Sequence, residues 1–189
     1  MDCGNIALVS YIDGPLARFL DSLRIKLTPV CSPRAHVTIL PPRQLEVSAH
    51  ENLDVIRARV EEVCRGRAPF QAELGDVEIF MGSHVLYLDL SRGGNQLRSL
   101  HHELDVGMLA HDSGYTYHPH VTLAQGLEAD DACNLLPYAR GLWAAFPGPR
   151  CFDIEALTLV KEENFQSWSD VARIPIAEPV PGRLRPRSA

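Results

Sequence analysis

The alternation of apolar and polar residues divides the chain into short strands and amphipathic helices. Residues 6–12 are almost entirely apolar and stop at Asp13-Gly14-Pro15, the pattern of a strand that ends in a turn. Leucine and phenylalanine then recur at helical spacing over residues 16–27, and Pro15 suits the first turn of a helix. The chain is therefore predicted to begin with a strand and an amphipathic helix.

The next stretch predicts a second helix and a hairpin. Ser48 and Glu51 form a capping-box pattern ahead of apolar positions at helical spacing, and Gly66 suits the C-terminal stop of that helix. Residues 70–80 and 84–90 are β in character and are separated by a connection that contains a glycine. We take this hairpin to complete the first half of the chain.

The second half repeats this layout approximately. Apolar spacing predicts a helix over residues 97–108 and a further helical region over residues 128–145. Pro137 lies inside the latter region and predicts a kink or two short helices. Residues 153–161 and 170–176 are predicted to be strands. The irregular mixture of helices, strands and hairpins favours an α+β fold over a doubly wound parallel sheet.

One short phrase occurs in both halves, as His36-Val37-Thr38-Ile39-Leu40 and as His120-Val121-Thr122-Leu123-Ala124. Both copies are predicted to be strands. Side chains alternate along a strand, so each His shares a face with its Thr while the apolar residues face a core. Pro41-Pro42 should end the first strand soon after its motif.

Composition limits the classes of partner. An apolar content of 46% and a charged content of 22% over 189 residues fit one substantial globular domain, predicted to span residues 1–176. Residues 177–189 are rich in Pro and Arg and are expected to form a loose, disordered tail. The net charge of −6 argues against extended nucleic-acid binding, so we expect no DNA partner but allow a short anionic ligand.

Cysteine usage and the terminal sequence predict the compartment. The five cysteines are odd in number, scattered and without a CxxC pair, which is typical of reduced thiols. No apolar run is long enough to cross a membrane, and the N-terminus lacks the pattern of a signal peptide. We therefore expect a cytoplasmic monomer without a membrane partner.

The paired motifs suit displacement at phosphorus. One neutral imidazole can take a proton and one imidazolium can give a proton, since the ordinary pKa of histidine leaves both forms accessible near neutrality. A hydroxyl at Thr38 or Thr122 could donate to a non-bridging oxygen as charge develops. This scheme needs no metal or cofactor. Arg34, Arg43 and Lys161 are candidate cations by position.

The two motifs and their flanks, Ala35 to Pro42 and Tyr117 to Ala124, resemble the paired His-x-Thr motifs of the two-histidine (2H) phosphoesterase superfamily. The 2′–5′ RNA ligase and RNA 2′,3′-cyclic phosphodiesterase family is the most similar branch. The resemblance implies two pseudo-symmetric lobes, each an antiparallel sheet with helices, around a central cleft. It implies opening of 2′,3′-cyclic phosphates to 2′-phosphomonoesters, with His36 as proton donor and His120 as base.

Three alternatives remain at this point. The substrate is either a cyclic-phosphate RNA end or a small cyclic nucleotide, and the sequence after the first motif, Ile39-Leu40-Pro41-Pro42-Arg43, departs from the commoner RNA-acting pattern. The same residues could catalyse 2′–5′ ligation, or the cleft could bind nucleotides without turnover.

Phe165 and Trp168 are candidates for stacking on a base. His118-Pro119-His120 suggests a metal site only weakly, because no third ligand follows from spacing.

Overall fold

The computed structural model describes residues 5–28, 34–44, 49–112, 114–164 and 167–177, and within them eight strands form two antiparallel sheets. The strands are β1 (Ile6–Tyr11), β2 (His36–Arg43), β3 (Phe70–Phe80), β4 (Val85–Arg92), β5 (Val121–Ala124), β6 (Cys151–Ile154), β7 (Ala156–Asn164) and β8 (Ser167–Pro175). The α-helices are α1 (Gly14–Leu27), α2 (Ala49–Cys64), α3 (Gly94–Leu104) and α4 (Ala129–Ala144). The predicted α+β class is confirmed.

Each sheet has four strands and defines one lobe. The first sheet has the order β2-β1-β7-β8, and the second has the order β5-β4-β3-β6. All the pairings between these strands are antiparallel. The edge strands β2 and β5, which carry the two motifs, contact each other where the sheets meet.

The two lobes do not correspond to the two halves of the chain in which the motif and the predicted layout recur. The first sheet joins β1 and β2 to the C-terminal strands β7 and β8, whereas the second sheet is built from the middle of the chain. The β3–β4 hairpin therefore belongs with the second motif rather than with the first. Long-range pairing of this kind has no local signal in the sequence.

A single buried cluster unites the two lobes. It contains Leu8 and Ile39 of the first sheet, Leu86 and Leu123 of the second sheet, and Leu20 of α1. Burying each such side chain contributes about 1.5–3 kcal/mol, which makes a shared core of this kind the main stabilising contribution. α1 packs against β5 and α4, so helices as well as strands cross the boundary between the lobes.

Strand β2 extends further than predicted, through both Pro41 and Pro42 to Arg43. It is an edge strand that pairs only with β1, so one side of its backbone needs no ladder hydrogen bonds and tolerates proline. The pairing register shifts between the Ile6–Arg43 and Leu8–Leu40 pairs, at the position of the prolines. The expectation that the prolines end the strand was wrong for this reason.

Three other boundaries differ from the predictions. α3 ends at Leu104, and Met108 lies in a separate 3₁₀ turn at Gly107–Leu109, where it is exposed. α4 runs through Pro137 as one helix, so of the two predicted alternatives the division into two short helices was wrong. Residues 153–161 are not one strand, because the chain leaves the second sheet after β6 and enters the first sheet as β7, with Glu155 between them.

The predicted tail begins with an ordered residue. Ala177 forms a parallel bridge with Arg65, and its carbonyl accepts a hydrogen bond of 2.9 Å from the Gly66 amide. The remaining residues of that segment, 178–189, and Ser48 of the predicted capping box lie outside the described residues. Within the described part of the chain, none of the helices has the length and apolar character needed to span a bilayer.

Candidate active site

The two motifs lie on facing edge strands and follow the predicted alternation. On β2, Val37 and Ile39 are fully buried while His36 and Thr38 are half-buried. In β5, Val121 and Leu123 are buried and Thr122 is half-buried. His120, which immediately precedes β5, is also half-buried. The apolar members thus anchor each strand in the core, and the polar members face the boundary between the lobes.

Both motif histidines are oriented in the same way by the backbone. His36 Nδ1 lies 2.9 Å from the carbonyl oxygen of Arg34, and His120 Nδ1 lies 2.7 Å from the carbonyl oxygen of His118. A carbonyl can only accept, so Nδ1 carries the proton in both rings. The neutral form of each ring then has Nε2 as the basic nitrogen, which is the tautomer that a proton acceptor needs.

The electrostatic surroundings of the two rings overlap. Burial lowers the pKa of His36, and the charges of Arg24, His120 and Arg34 lower it further, against the effect of the carbonyl hydrogen bond. Burial also lowers the pKa of His120, with a further decrease from His118 and opposing contributions from the carbonyl and from Asp89. The charge of protonated His120 thus contributes to the decrease in the pKa of His36.

A cavity of about 860 Å³ opens beside the motifs. Thr38 and His120 line it, together with Arg43 of β2, His101 of α3 and the turn between β3 and β4. His36 and Thr122 are not among its described lining residues. A cavity of this size is in the range that accommodates a nucleotide-sized ligand.

Aromatic rings form one wall of this cavity. Phe80 stacks on Tyr87 at a centroid distance of 3.9 Å, and the rings of His118 and His120 both meet Phe80 nearly edge-on. These contacts fix the plane of the His120 ring from a second direction. Phe80 belongs to β3 and Tyr87 to β4, so the hairpin of the second lobe supports the second motif.

A second stacked pair supports the first motif. Tyr117 stacks on His101 at 3.9 Å and donates its hydroxyl proton to the Thr38 carbonyl at 2.8 Å. His101 Nδ1 in turn donates to the Ile39 carbonyl at 2.8 Å. The segment before β5 and helix α3 are thereby hydrogen-bonded to the backbone of β2, which couples the two motifs mechanically.

Two of the three candidate cations, Arg34 and Arg43, have carboxylate partners in the structure. Arg34 pairs with Asp170 at 2.7 Å. Arg43 is almost fully buried, pairs with Asp105 at 2.8 Å and also donates to the carbonyl oxygens of Pro41 and Leu109. Arg43 therefore connects β2 to the segment that follows α3, in addition to lining the cavity.

Trp168, one of the two candidate aromatic contacts, does not reach the large cavity. Trp168 packs against Ala7, Val9 and Val160 on the first sheet, and the cavity's described lining does not include it. Phe165 lies outside the described residues. Lys161, the third candidate cation, lies in β7 opposite Ile6 of the neighbouring strand β1.

Several residues of the site were missed by sequence reasoning. Asp89 accepts a hydrogen bond of 2.9 Å from His118 Nε2, and Asp105 and Asp170 pair with arginines of the first lobe. Each carboxylate is distant in sequence from its partner, so spacing could not indicate it. In the described part of the chain, no three histidine, cysteine or carboxylate side chains are grouped so as to hold a metal ion.

Comparison with known proteins identifies the family. The model of the 2′-5′ RNA ligase superfamily matches residues 13–165. This chain belongs to the 2′-5′ RNA ligase superfamily. The resemblance found in the two motifs is thereby confirmed, and the broad assignment to the phosphoesterases of this superfamily follows.

The individual relatives share less than a third of their residues with this chain. The putative phosphoesterase BH1439 of Halalkalibacterium halodurans is 28% identical over 138 residues, which cover 70% of this chain and 76% of that protein. The crystal structure of Escherichia coli LigT in its apo form superposes with a TM-score of 0.65 at 16% identity, covering 93% of this chain and 99% of LigT. The crystal structure of TT0787 of Thermus thermophilus superposes with a TM-score of 0.63 at 17% identity, covering 91% of this chain and 97% of TT0787. These superpositions establish the two-lobed fold.

Proposed function

We propose that this protein is a metal-independent phosphodiesterase that opens 2′,3′-cyclic phosphates, at RNA ends or in small cyclic nucleotides, to 2′-phosphomonoesters. The observation that carries the proposal is the matched pair of imidazoles, each fixed through Nδ1 to the carbonyl two residues before it. Such a pair can supply both proton transfers of the reaction from the protein's own side chains.

The proposed step is an in-line displacement at phosphorus. Water attacks the phosphorus atom, and its proton passes to Nε2 of neutral His120 as the new P–O bond forms. The P–O3′ bond breaks on the opposite side, and protonated His36 gives its Nε2 proton to the leaving 3′ oxygen. The product keeps the phosphate on the 2′ oxygen, and each general acid or base contributes about 10²–10⁴-fold to the rate.

The hydroxyl groups of the motifs are proposed to bind the phosphate. Thr38 lies at the edge of the cavity, and Thr122 occupies the equivalent position on the opposite edge strand. Each hydroxyl donates to a non-bridging oxygen and stabilises the charge that accumulates there in the transition state. Arg43 also lines the cavity, where its ion pair with Asp105 offsets its positive charge.

Two observations support a nucleotide as the substrate. The cavity combines aromatic surface at Phe80 and Tyr117 with polar side chains, which suits a base and a sugar phosphate. The structural neighbour LigT has been crystallised with phosphate, NADP+, 3′-AMP and ATP. We propose a similar class of ligand for this chain, bound by the monomer.

The direct test is a substrate panel with identification of the products. Purified protein in excess chelator is assayed against the four 2′,3′-cyclic mononucleotides, oligonucleotides that end in a cyclic phosphate, and oligonucleotide halves that could be ligated. The proposal predicts turnover with the 2′-phosphate as the only product isomer. Saturable binding without product would support a binding module instead, and joined halves would support the ligase.

A further inference from the structure

The residue that fixes His36 has an unfavourable backbone conformation. Arg34 has φ +79° and is one of two non-glycine residues with positive φ in the described part of the chain. Side chains with a Cβ disfavour this left-handed region. The carbonyl of Arg34 is the acceptor for His36 Nδ1, at 2.9 Å. The strained residue thus directly determines the direction of the group that orients the imidazole.

The Arg34 side chain is held by two others. Its Nη1 lies 2.7 Å from Asp170 Oδ2, and its guanidinium carbon lies 3.4 Å from the centroid of the Tyr11 ring. The Tyr11 hydroxyl donates to Asp170 Oδ1 at 2.6 Å, which closes the arrangement. We call Tyr11, Arg34 and Asp170 the Arg34 cluster. It connects β1 and β8 to the residue two positions before His36.

The protonation states of the cluster suit these contacts. Burial alone would raise the pKa of Asp170, but the hydrogen bonds from Tyr11 and Arg34 outweigh it and hold that pKa below its usual range. Burial and the hydrogen bond to Asp170 raise the pKa of Tyr11 to about 12. Asp170 therefore stays ionised and Tyr11 stays a donor throughout the neutral range.

The pairing of β1 with β2 places the Arg34 cluster beside His36. Tyr11 and His36 are cross-strand partners in β1 and β2, so their side chains lie on one face of the sheet. Their rings meet edge-on at a centroid distance of 6.2 Å. Tyr11 thus contacts both the arginine that supplies the carbonyl and the imidazole that uses it.

In the second lobe, His118 and Asp89 are arranged around His120 as Arg34 and Asp170 are around His36. His118, two residues before His120, supplies the carbonyl for His120 Nδ1, and its own side chain bonds to Asp89 at 2.9 Å. In both lobes the residue two positions before the motif histidine orients that histidine through its carbonyl and is tied to a carboxylate through its side chain. The recurrence with different residue types indicates a shared requirement of the site.

We infer that Asp170, Arg34 and Tyr11 are positioning residues for His36: they hold the Arg34 backbone in its left-handed conformation, so that its carbonyl fixes the Nδ1-protonated tautomer and the direction of Nε2. The effect on turnover rests on the proposed function, whereas the effect on the imidazole does not. In this role Arg34 acts through its backbone and not by contact with the substrate.

A kinetic comparison of Arg34→Ala, Arg34→Gly and Asp170→Ala separates the two roles of Arg34. Alanine keeps the backbone penalty and removes the contacts, whereas glycine adopts positive φ without penalty. We expect kcat to fall about 10- to 100-fold in Arg34→Ala and Asp170→Ala with little change in KM, because misplacement of a reacting group has costs of this order. Arg34→Gly should recover a substantial part of the loss.

The matched control is Arg57→Ala, which removes an exposed arginine and its ion pair with Glu61 on α2. It should leave both constants unchanged. An Arg34→Gly variant no more active than Arg34→Ala, or a loss confined to KM, would overturn the inference and assign Arg34 to substrate binding.

Nitrogen NMR of the His36 ring provides a readout that does not depend on turnover. Wild-type protein at a pH where the ring is neutral should show Nδ1 protonated and Nε2 unprotonated. Arg34→Ala and Asp170→Ala should show a mixture of both tautomers, and Arg57→Ala should match the wild type. Unchanged tautomers in the first two variants would overturn the inference. Absence of turnover in the wild type would count against the proposed function alone.

Discussion

At the scale of single residues, the two motif histidines differ in the charges that surround them. Burial lowers the pKa of both. The permanent charges of Arg24 and Arg34 add to the decrease for His36, whereas Asp89 opposes the decrease for His120. The rings are equivalent in backbone geometry and unequal in electrostatics, so substitutions of their neighbours can distinguish their roles.

Asp89→Asn should therefore change the pH profile of kcat/KM on one side only. Removing the carboxylate charge removes a contribution that raises the pKa of His120, so that pKa falls further. With His120 as the base, the acidic limb of the profile moves to lower pH, because the base must be unprotonated. Glu61→Gln on α2 is the control. Movement of the alkaline limb instead would assign His120 as the acid.

Thr38→Val and Thr122→Val test the phosphate contacts. Valine has nearly the shape of threonine and lacks the donor, so each variant should fold normally and lose about 10²-fold in kcat. Thr116→Val changes a threonine that lines the same cavity and belongs to neither motif, and its kcat should stay near the wild-type value. Wild-type kcat in both motif variants would contradict the proposed role.

The residue scale also shows how far sequence reasoning reaches. His36, Thr38, His120 and Thr122 could be found because a local alternation places each pair on one face of a strand. Asp170 could not be found, because it meets Arg34 only after β8 has been added to the first sheet beside β7. Local periodicity determines which face a side chain takes, but not which distant side chain meets it.

At the scale of elements, the site depends on two edge strands. β2 and β5 each pair with one neighbour, which leaves their other sides to meet at the boundary between the lobes. The first strand and helix, the hairpin and the motif strands follow from the hydrophobic pattern. The switch at Glu155 between β6 and β7 does not, because a continuous β-type pattern gives no indication that the chain changes sheets.

The start of α3 provides a prediction about stability. Gly93 has φ +88°, and a Cβ there would lie 2.9 Å from the Cα and Cβ of Ala72 on β3. Gly93→Ala should lower the free energy of unfolding by about 1–3 kcal/mol. Gly141→Ala in α4 meets no atom within 4 Å and should raise it by about 0.5–1 kcal/mol. Equal urea midpoints for the two variants would contradict the steric role assigned to Gly93.

At the scale of the whole molecule, the two half-buried motif histidines link the free energy of unfolding to pH. Their pKa values are lowered in the folded state, so the unfolded chain takes up protons first, near its ordinary pKa of about 6.5. The contribution of the neutral rings to the free energy of unfolding is therefore fully present above about pH 6.5. It declines as the pH falls toward the lowered pKa values of the folded state, by at most about 1.4 kcal/mol per pH unit for each ring.

The linkage is measured by denaturant unfolding as a function of pH. A double variant, His36→Asn with His120→Asn, should lose stability less steeply than the wild type below about pH 6.5, since it lacks both titrating rings. Exposed carboxylates titrate at lower pH and are common to both proteins. Parallel curves for the two proteins would show that the histidines are not desolvated on folding.

The central claim is that both imidazoles act on one phosphate, and it is tested most directly by a double-mutant cycle on kcat for 2′,3′-cyclic AMP. His36→Ala and His120→Ala should each remove most of the turnover, and the double variant should lose little more than either single variant, because residues that act as a unit are strongly non-additive. Losses that multiply, or wild-type turnover in either single variant, would contradict it.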